Sequence, residues 1–241
     1  MTATIIYGES EFKYQVVINS ALTEKVRIHV YPDDSVEVEA PSGVDNAVVR
    51  AALRKRARWI LEQLDSNKEA KEYVLARSYV SGETHFYLGR RHALKIEKSK
   101  TAPRSVALRH GKLQVVIRDG WPEEVRDLLS IWYQRRAKEY LSKRIAFLSD
   151  NLPWTPAKTP LKFRKMKSQW GNCCPAGTIQ LNPALIRAPR ECIDYVLVHE
   201  LCHLAEHNHS KRFYALLDRH APNWRHTKSK LDGMAELFLA E

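Results

Sequence analysis

Four of the chain's ten histidines fall within the run His199-Glu200-Leu201-Cys202-His203-Leu204-Ala205-Glu206-His207-Asn208-His209. Its first five residues form an H-E-x-x-H pattern, and this constrains the fold more than any other feature. Residues four apart on an α-helix differ by about 40° around the axis, so His199 and His203 project from one face and can share a metal. Ile193, Val196, Leu197, Leu201 and Leu204 supply apolar residues at helical spacing, which predicts a helix with one buried side. Zinc accepts such imidazoles, and a catalytic zinc site keeps three protein ligands and an open position. Glu200, next to the first ligand, is the candidate general base.

The third ligand by spacing is His209, reached if Asn208 ends the helix in a left-handed conformation and Ser210 caps the next helix. His207, His220 and His226 are the rivals. Glu206 lies seven residues after His199, on the same face if the helix continues. There it is either a carboxylate that orients an imidazole or a solvated side chain. Tyr195, Arg225 and His226 are candidate stabilisers of developing charge.

The metzincin proteases share this ligand spacing but have glycine where Glu206 stands. The segment resembles instead the YgjP-like family of metal-dependent hydrolases, related to the SprT-like and WLM zinc peptidases. The matching residues are Ser168-Gln169-Trp170-Gly171-Asn172-Cys173, Thr178-Ile179-Gln180-Leu181-Asn182-Pro183-Ala184-Leu185, Ala188-Pro189, Asp194-Tyr195-Val196-Leu197-Val198, the histidine motif, and Asn208-His209-Ser210 with Phe213. The close match covers about residues 160 to 226; earlier agreement is looser, at Tyr87-Leu88-Gly89 and around Trp59-Ile60. The resemblance implies a minimal zincin-type fold and a zinc peptidase that acts on polypeptide, with one Zn2+ per chain held by His199, His203 and His209 and with Glu200 as base. Asn172 and Cys174 depart from the small hydroxyl residues expected beside Cys173.

Lys162 to Trp170 and Thr178 to Leu181 read as two short strands joined by the turn-rich link 171–177. Such a hairpin either supports the helix or offers an edge to an extended peptide. Trp170 reads as core or cleft wall and Asn182 as a turn or cap residue. Cys173, Cys174, Cys192 and Cys202 show no paired C-x-x-C spacing, and reduced thiols are expected. The first ten residues lack a charged leader before an apolar run, and no stretch is apolar enough for a membrane span, so a soluble cytoplasmic protein without membrane contact is expected.

In the first half, Val26, Ile28 and Val30 alternate against Val36 and Val38 across Pro32-Asp33-Asp34, and Leu113, Val115 and Ile117 follow His110-Gly111-Lys112. Val49, Leu53, Ile60 and Leu64 mark one helix; a second starts near Pro122 and runs toward Asn151. No repeat is visible. The fold class is therefore α+β: a β-rich N-terminal lobe over 1–119 with one helix, then a mostly helical zincin-like lobe over 120–241. The two divide at Asp119-Gly120-Trp121-Pro122 unless they share a core.

The net charge of +11 attracts polyanions. Clusters at Arg54-Lys55-Arg56-Ala57-Arg58, Arg135-Arg136 and Lys143-Arg144 are either solvated helix faces or phosphate contacts. Three readings follow: a zinc endopeptidase, a metal-dependent nucleotide pyrophosphatase, or a basic nucleic-acid-associated module with structural zinc. No zinc finger or RNA-stacking signature is present, and oligomeric state is not encoded in any of these features.

Overall fold

The computed structural model describes residues 2–239 apart from 9, 20, 21, 23–25, 32, 33, 74–76, 121, 157 and 168. The Pro32-Asp33 turn, Trp121 and Ser168 thus lie outside the described residues. Two compact units are formed, within 1–75 and within 76–239.

The first unit holds β1 (Thr2–Tyr7), β2 (Ser10–Ile18), β3 (Arg27–Val30), β4 (Val36–Ala40) and α1 (Asn46–Tyr73). Its sheet has the order β1-β2-β4-β3, with β2 and β4 parallel. The period-two pattern buries Val36, Val38 and Ala40 on one face of β4. Against them α1 buries Val49, Leu53, Ala57, Ile60 and Leu64, closing one core. The expected Ile28 and Val30 pairing with Val38 and Val36 is seen in the register.

The second unit begins with β5 (Thr84–Tyr87), β6 (Arg90–Lys98), β7 (Ser105–Arg109), β8 (Lys112–Ile117) and α2 (Pro122–Ser149). The sheet order β5-β6-β8-β7, with β6 and β8 parallel, repeats the first sheet, and each sheet is followed by a 28-residue helix. This repeat of topology is carried by core pattern: Val36, Val38 and Ala40 correspond to Leu113, Val115 and Ile117. Shared burial without shared identity explains why no repeat shows in the residues themselves. The β7–β8 turn places His110 and Gly111 at φ 48° and 74°, the backbone that a two-residue hairpin needs. Pro122 opens α2 with Glu123 and Glu124 in its first turn, where the helix dipole favours acids.

The sequence places the lobe boundary at 119–122, whereas the compact units meet at 75/76. The physical reason is a core that spans that link: Leu113, Val115 and Ile117 of β8 pack in one cluster with Leu129, Trp132 and Leu141 of α2 and with buried residues farther along the chain. A second tie is the β5–β6 turn. Its Leu88 and Gly89 amides donate to the carbonyls of Ile186 and Arg187, at 2.9 and 3.0 Å. Gly89 has φ 76°, and a Cβ there would stand 2.7 Å from Pro189 Cα, so only glycine permits this approach.

A small sheet follows, of β9 (Leu161–Phe163), β10 (Gly171–Cys173) and β11 (Ile179–Leu181) in the order β10-β11-β9. The expected strand over 162–170 and link over 171–177 are corrected here: the hairpin is β10–β11, and β9 pairs parallel on the other side of β11. Asn182 is the cause. Its buried side-chain amide donates to the carbonyls of Met166 and Gln169, at 2.8 and 3.0 Å, occupying acceptors that a continuous strand would give to a neighbouring strand. Its oxygen accepts from Ala184 N and caps the 3₁₀ turn Pro183–Arg187. Then come α3 (Arg190–Cys202), α4 (Lys211–His220), α5 (Trp224–Asp232) and α6 (Ala235–Leu239). Among the described residues no helix is long and apolar enough to cross a membrane.

Candidate metal centre

Helix α3 is buried along most of its length: Cys192, Ile193, Leu197, Leu201 and Cys202 are fully inaccessible, and Val196 and Val198 nearly so. Two contacts fix its place. Arg144 of α2 makes paired hydrogen bonds to Asp194, at 2.6 and 2.8 Å, and Trp154 Nε1 donates to the Leu201 carbonyl at 2.9 Å, a second tie at the helix end.

The last turn of α3 presents His199 and Glu200, and His203 caps it. The helix stops at Cys202, so Glu206 does not extend its face. The amide of Glu206 donates to the Cys202 carbonyl, and its carbonyl lies 3.2 Å from His203 Nδ1. Glu206 thus orients this imidazole through its backbone, while its carboxylate points to Arg212 at 3.8 Å. A proton on His203 Nδ1 leaves Nε2 as a lone-pair donor. Asn208 is not among the residues with positive φ. The return toward α3 is made by a turn in which the Ser210 amide donates to the Asn208 carbonyl. Ser210 then caps α4 as expected, its hydroxyl accepting from Phe213 N.

These turns bring ligand atoms of His199, His203 and His209 within 4.8 Å of one another. His209 Nε2 stands 3.2 Å from His199 Nε2. Nitrogens so close share either a proton or a cation, and two ligands at about 2.0 to 2.1 Å from a tetrahedral metal stand roughly 3.3 Å apart. Phe213, fully buried, backs all three imidazoles with ring centroids at 5.0, 4.6 and 4.7 Å. The sequence quotes Phe213 only as part of a resemblance; a buried aromatic three residues after the capping serine is the signal of its role.

A pocket of about 420 Å³ opens over the cluster, lined by Trp170, Gly171, Asn172, Cys173, Tyr195 and Glu200 among others. Burial pushes Glu200, 4% exposed, up to about 8. Burial, helped by the charges of His203 and His209, holds His199 down at about 3, so it remains a neutral donor. The three polar atoms His199 Nδ1, Glu200 Oε2 and Asn172 Oδ1 are buried here without hydrogen-bond partners. Three imidazoles of one cluster, a buried carboxylate and polar atoms without a partner among the described residues fit a divalent cation.

Trp170 is half-buried, a cleft wall whose ring meets Phe238 at 6.4 Å. Tyr195, one turn before His199, lines the pocket; burial first, then Asp232 and Glu200, raises its phenol to about 12, so it stays protonated. Lys228 and Asp232 of α5 also reach the pocket, a pair that the sequence reading did not single out. Among the rivals, His207 lines the pocket outside the three-histidine cluster, His220 packs on Trp154 and His226 is exposed; Arg225, a candidate stabiliser of developing charge, pairs with Asp218 at 2.8 Å. All four cysteines are free. Burial, then Glu200, raises Cys173 to about 11, so the one cysteine on the pocket wall is a protonated thiol rather than a nucleophile.

Gly171 lies against the carboxylate: a Cβ there would stand 2.9 Å from Glu200 Oε1. In β10 the Trp170 carbonyl accepts from Asn182 N and the Cys174 amide donates to Thr178 O. By antiparallel alternation, Gly171 and Cys173 therefore turn their N–H and C=O groups away from β11, onto the open edge.

None of the curated proteins matches this chain. Among solved structures, the metallopeptidase zymogen of Pyrococcus abyssi abylysin is similar at 24% identity and a TM-score of 0.36, over 40% of this chain and 94% of that one. The YgjP-like metallopeptidase domain matches residues 24–234, a span that begins after β2 and takes in the rest of the first compact unit, nearly all of the second and the whole histidine cluster. The chain belongs to the YgjP-like family of metallopeptidase domains.

Proposed function

We propose that the chain is a zinc-dependent endopeptidase. His199, His203 and His209 hold the cation, and Glu200 is the general base. The observation that carries this reading is the convergence of three imidazoles within 4.8 Å beside a carboxylate that is 4% exposed and has no hydrogen-bond partner for Oε2. A donor set of three imidazoles with room for a further ligand suits zinc, which when bound lowers the pKa of water and polarises a carbonyl.

Glu200 takes a proton from the attacking water, whose oxygen bonds to the scissile carbonyl carbon. It then returns that proton to the amide nitrogen as the C–N bond breaks. A carboxyl whose affinity for protons is raised by burial suits both halves of this exchange. The edge of β10 holds the substrate: the outward N–H and C=O groups of Gly171 and Cys173 pair with an extended peptide across the pocket from α3. Tyr195, protonated and on the pocket wall, is placed to donate a hydrogen bond to the developing oxyanion.

The test is cleavage of an unfolded protein by the zinc-loaded enzyme and by Glu200→Gln with zinc content measured in parallel. The expected result is at least a ~10²-fold loss of kcat with metal retained, the scale of losing acid–base catalysis. Unchanged cleavage by Glu200→Gln contradicts the assignment.

A further inference from the structure

The second unit holds a larger hollow of about 640 Å³, within the range of ligand sites. The outer face of α2, the stretch after β9 and the 3₁₀ turn wall it, and α6 closes one side. Its depth sets the apolar Leu129, Phe163, Met166 and Phe238 beside the half-buried Arg187 and the buried His85. Its rim is cationic, with Arg126, Arg135, Lys138 and Lys165 against one acid, Asp127. Arg126 lies 3.1 Å from Asp127 and Arg135 4.0 Å from Glu139, whereas Lys138 and Lys165 have no ion-pair partner among the described residues. Ile131, 64% exposed, adds an apolar lip.

A buried polar group marks the floor. His85 is 2% exposed, and its Nε2 lies 3.3 Å from Glu83 in a geometry that makes no hydrogen bond. His85 pairs with His92 across β5 and β6, at the sheet position where the first unit pairs Ile5 with Phe12. All four are buried. One repeat of the topology thus fills this position with hydrocarbon and the other with imidazoles, which are costly to bury.

The hollow and the metal pocket share a partition. Asn182, on the wall of the hollow, grips the carbonyls of Met166 and Gln169; Met166 faces the hollow and Gln169 the metal pocket. Phe238 lines one and Trp170 the other, with their rings 6.4 Å apart.

We propose that this hollow is an exosite for an acidic stretch of the polypeptide substrate that carries an apolar anchor and reaches it from the metal pocket past Trp170. The proposal rests on the peptidase reading. A cationic rim draws the acids, and the apolar depth takes one or two side chains. A polypeptide fits better than nucleic acid: of the aromatic residues that line the hollow, Tyr133 and Phe238 are buried, at 4% and 1% exposure, and Tyr79 and Phe163 are half-buried, so none offers a fully open ring face for stacked bases.

The experiment compares two quenched-fluorescent peptides with the same cleaved core, one extended by a Glu/Asp/Leu run and one by Ser/Gly. The zinc-loaded enzyme is assayed beside the triple variant Arg135→Glu, Lys138→Glu, Lys165→Glu, all exposed positions. We expect the acidic peptide to have about a tenfold advantage in kcat/KM, from three exposed charge contacts each worth a few-fold. That advantage lies in KM, fades with salt and vanishes in the variant, while cleavage of the Ser/Gly peptide is unchanged. No preference in the wild type, or the same preference in the variant, overturns the proposal. If neither peptide is cut, the peptidase reading fails separately, and fluorescence anisotropy of the labelled acidic peptide on zinc-loaded protein decides the exosite. Binding lost in the variant supports it; no binding, or displacement by an equal concentration of single-stranded DNA, overturns it.

Discussion

Glu200 is the most constrained side chain of the site, and its nearest constraint is a residue with no side chain. A methyl group at position 171 would press on Glu200 Oε1, Cγ and Cδ from 2.9 to 3.1 Å, and the carboxyl sits in a buried slot with little room to yield. Gly171→Ala is therefore expected to lower kcat at least ~10-fold, the scale of a misplaced catalytic group, and to lower the melting temperature by a few degrees, while zinc content stays near that of the parent. Parallel kinetics, metal analysis and calorimetry check this, and an unimpaired variant shows that the carboxyl has slack. Much of the site was legible residue by residue, because His199, Glu200 and His203 follow from one helical turn. His209 does come beside His199 and His203, but through another turn than the one expected, since Asn208 keeps negative φ. Lys228 and Asp232 were not legible, because they arrive from α5 by tertiary packing rather than by spacing.

Among the elements, α3 and its C-cap carry two of the three imidazoles, and the Arg144–Asp194 pair ties the helix to α2 across fifty positions of chain. The pair is bidentate and about a third exposed at each end, so solvent screening limits its worth. A double-mutant cycle of Arg144→Ala and Asp194→Ala is expected to show a coupling of about 1 kcal/mol in denaturant unfolding, toward the upper end for partly exposed pairs. Coupling near zero assigns the hold on α3 to apolar packing alone. The helices were readable from periodicity and capping: Pro122 opens α2, Ser210 caps α4, and Val49 to Leu64 mark α1. The small sheet was misread between 162 and 177 because Asn182, a single buried amide, overrides the strand preference of the residues it grips.

Across the whole molecule, the repeat of sheet and helix places His85 and His92 in a core position that holds hydrocarbon in the first unit. Burial first, with Arg77 adding to it, holds His85 well below the ordinary histidine value in the folded protein. The unfolded chain takes up this proton from about pH 6.5 downward and the folded protein does not, so stability present above pH 6.5 is lost as the pH falls. His85→Ile is expected to flatten the decline in denaturation midpoint between pH 7.5 and pH 5; an equally steep decline in the variant shows that other groups set it. The same repeat explains why the lobe boundary was misplaced. Residue patterns at 119–122 mark a change of element type, while the core, which follows buried side chains, runs through that link. The proposed function rests on one coordination event, and X-ray absorption spectroscopy of zinc-repleted protein, with elemental analysis of the same sample, tests it most directly. The account predicts one zinc per chain with three imidazole nitrogens at about 2.0 to 2.1 Å and one further light atom, lost in His199→Ala combined with His203→Ala; stoichiometry near zero, or zinc retained in that double variant, contradicts it.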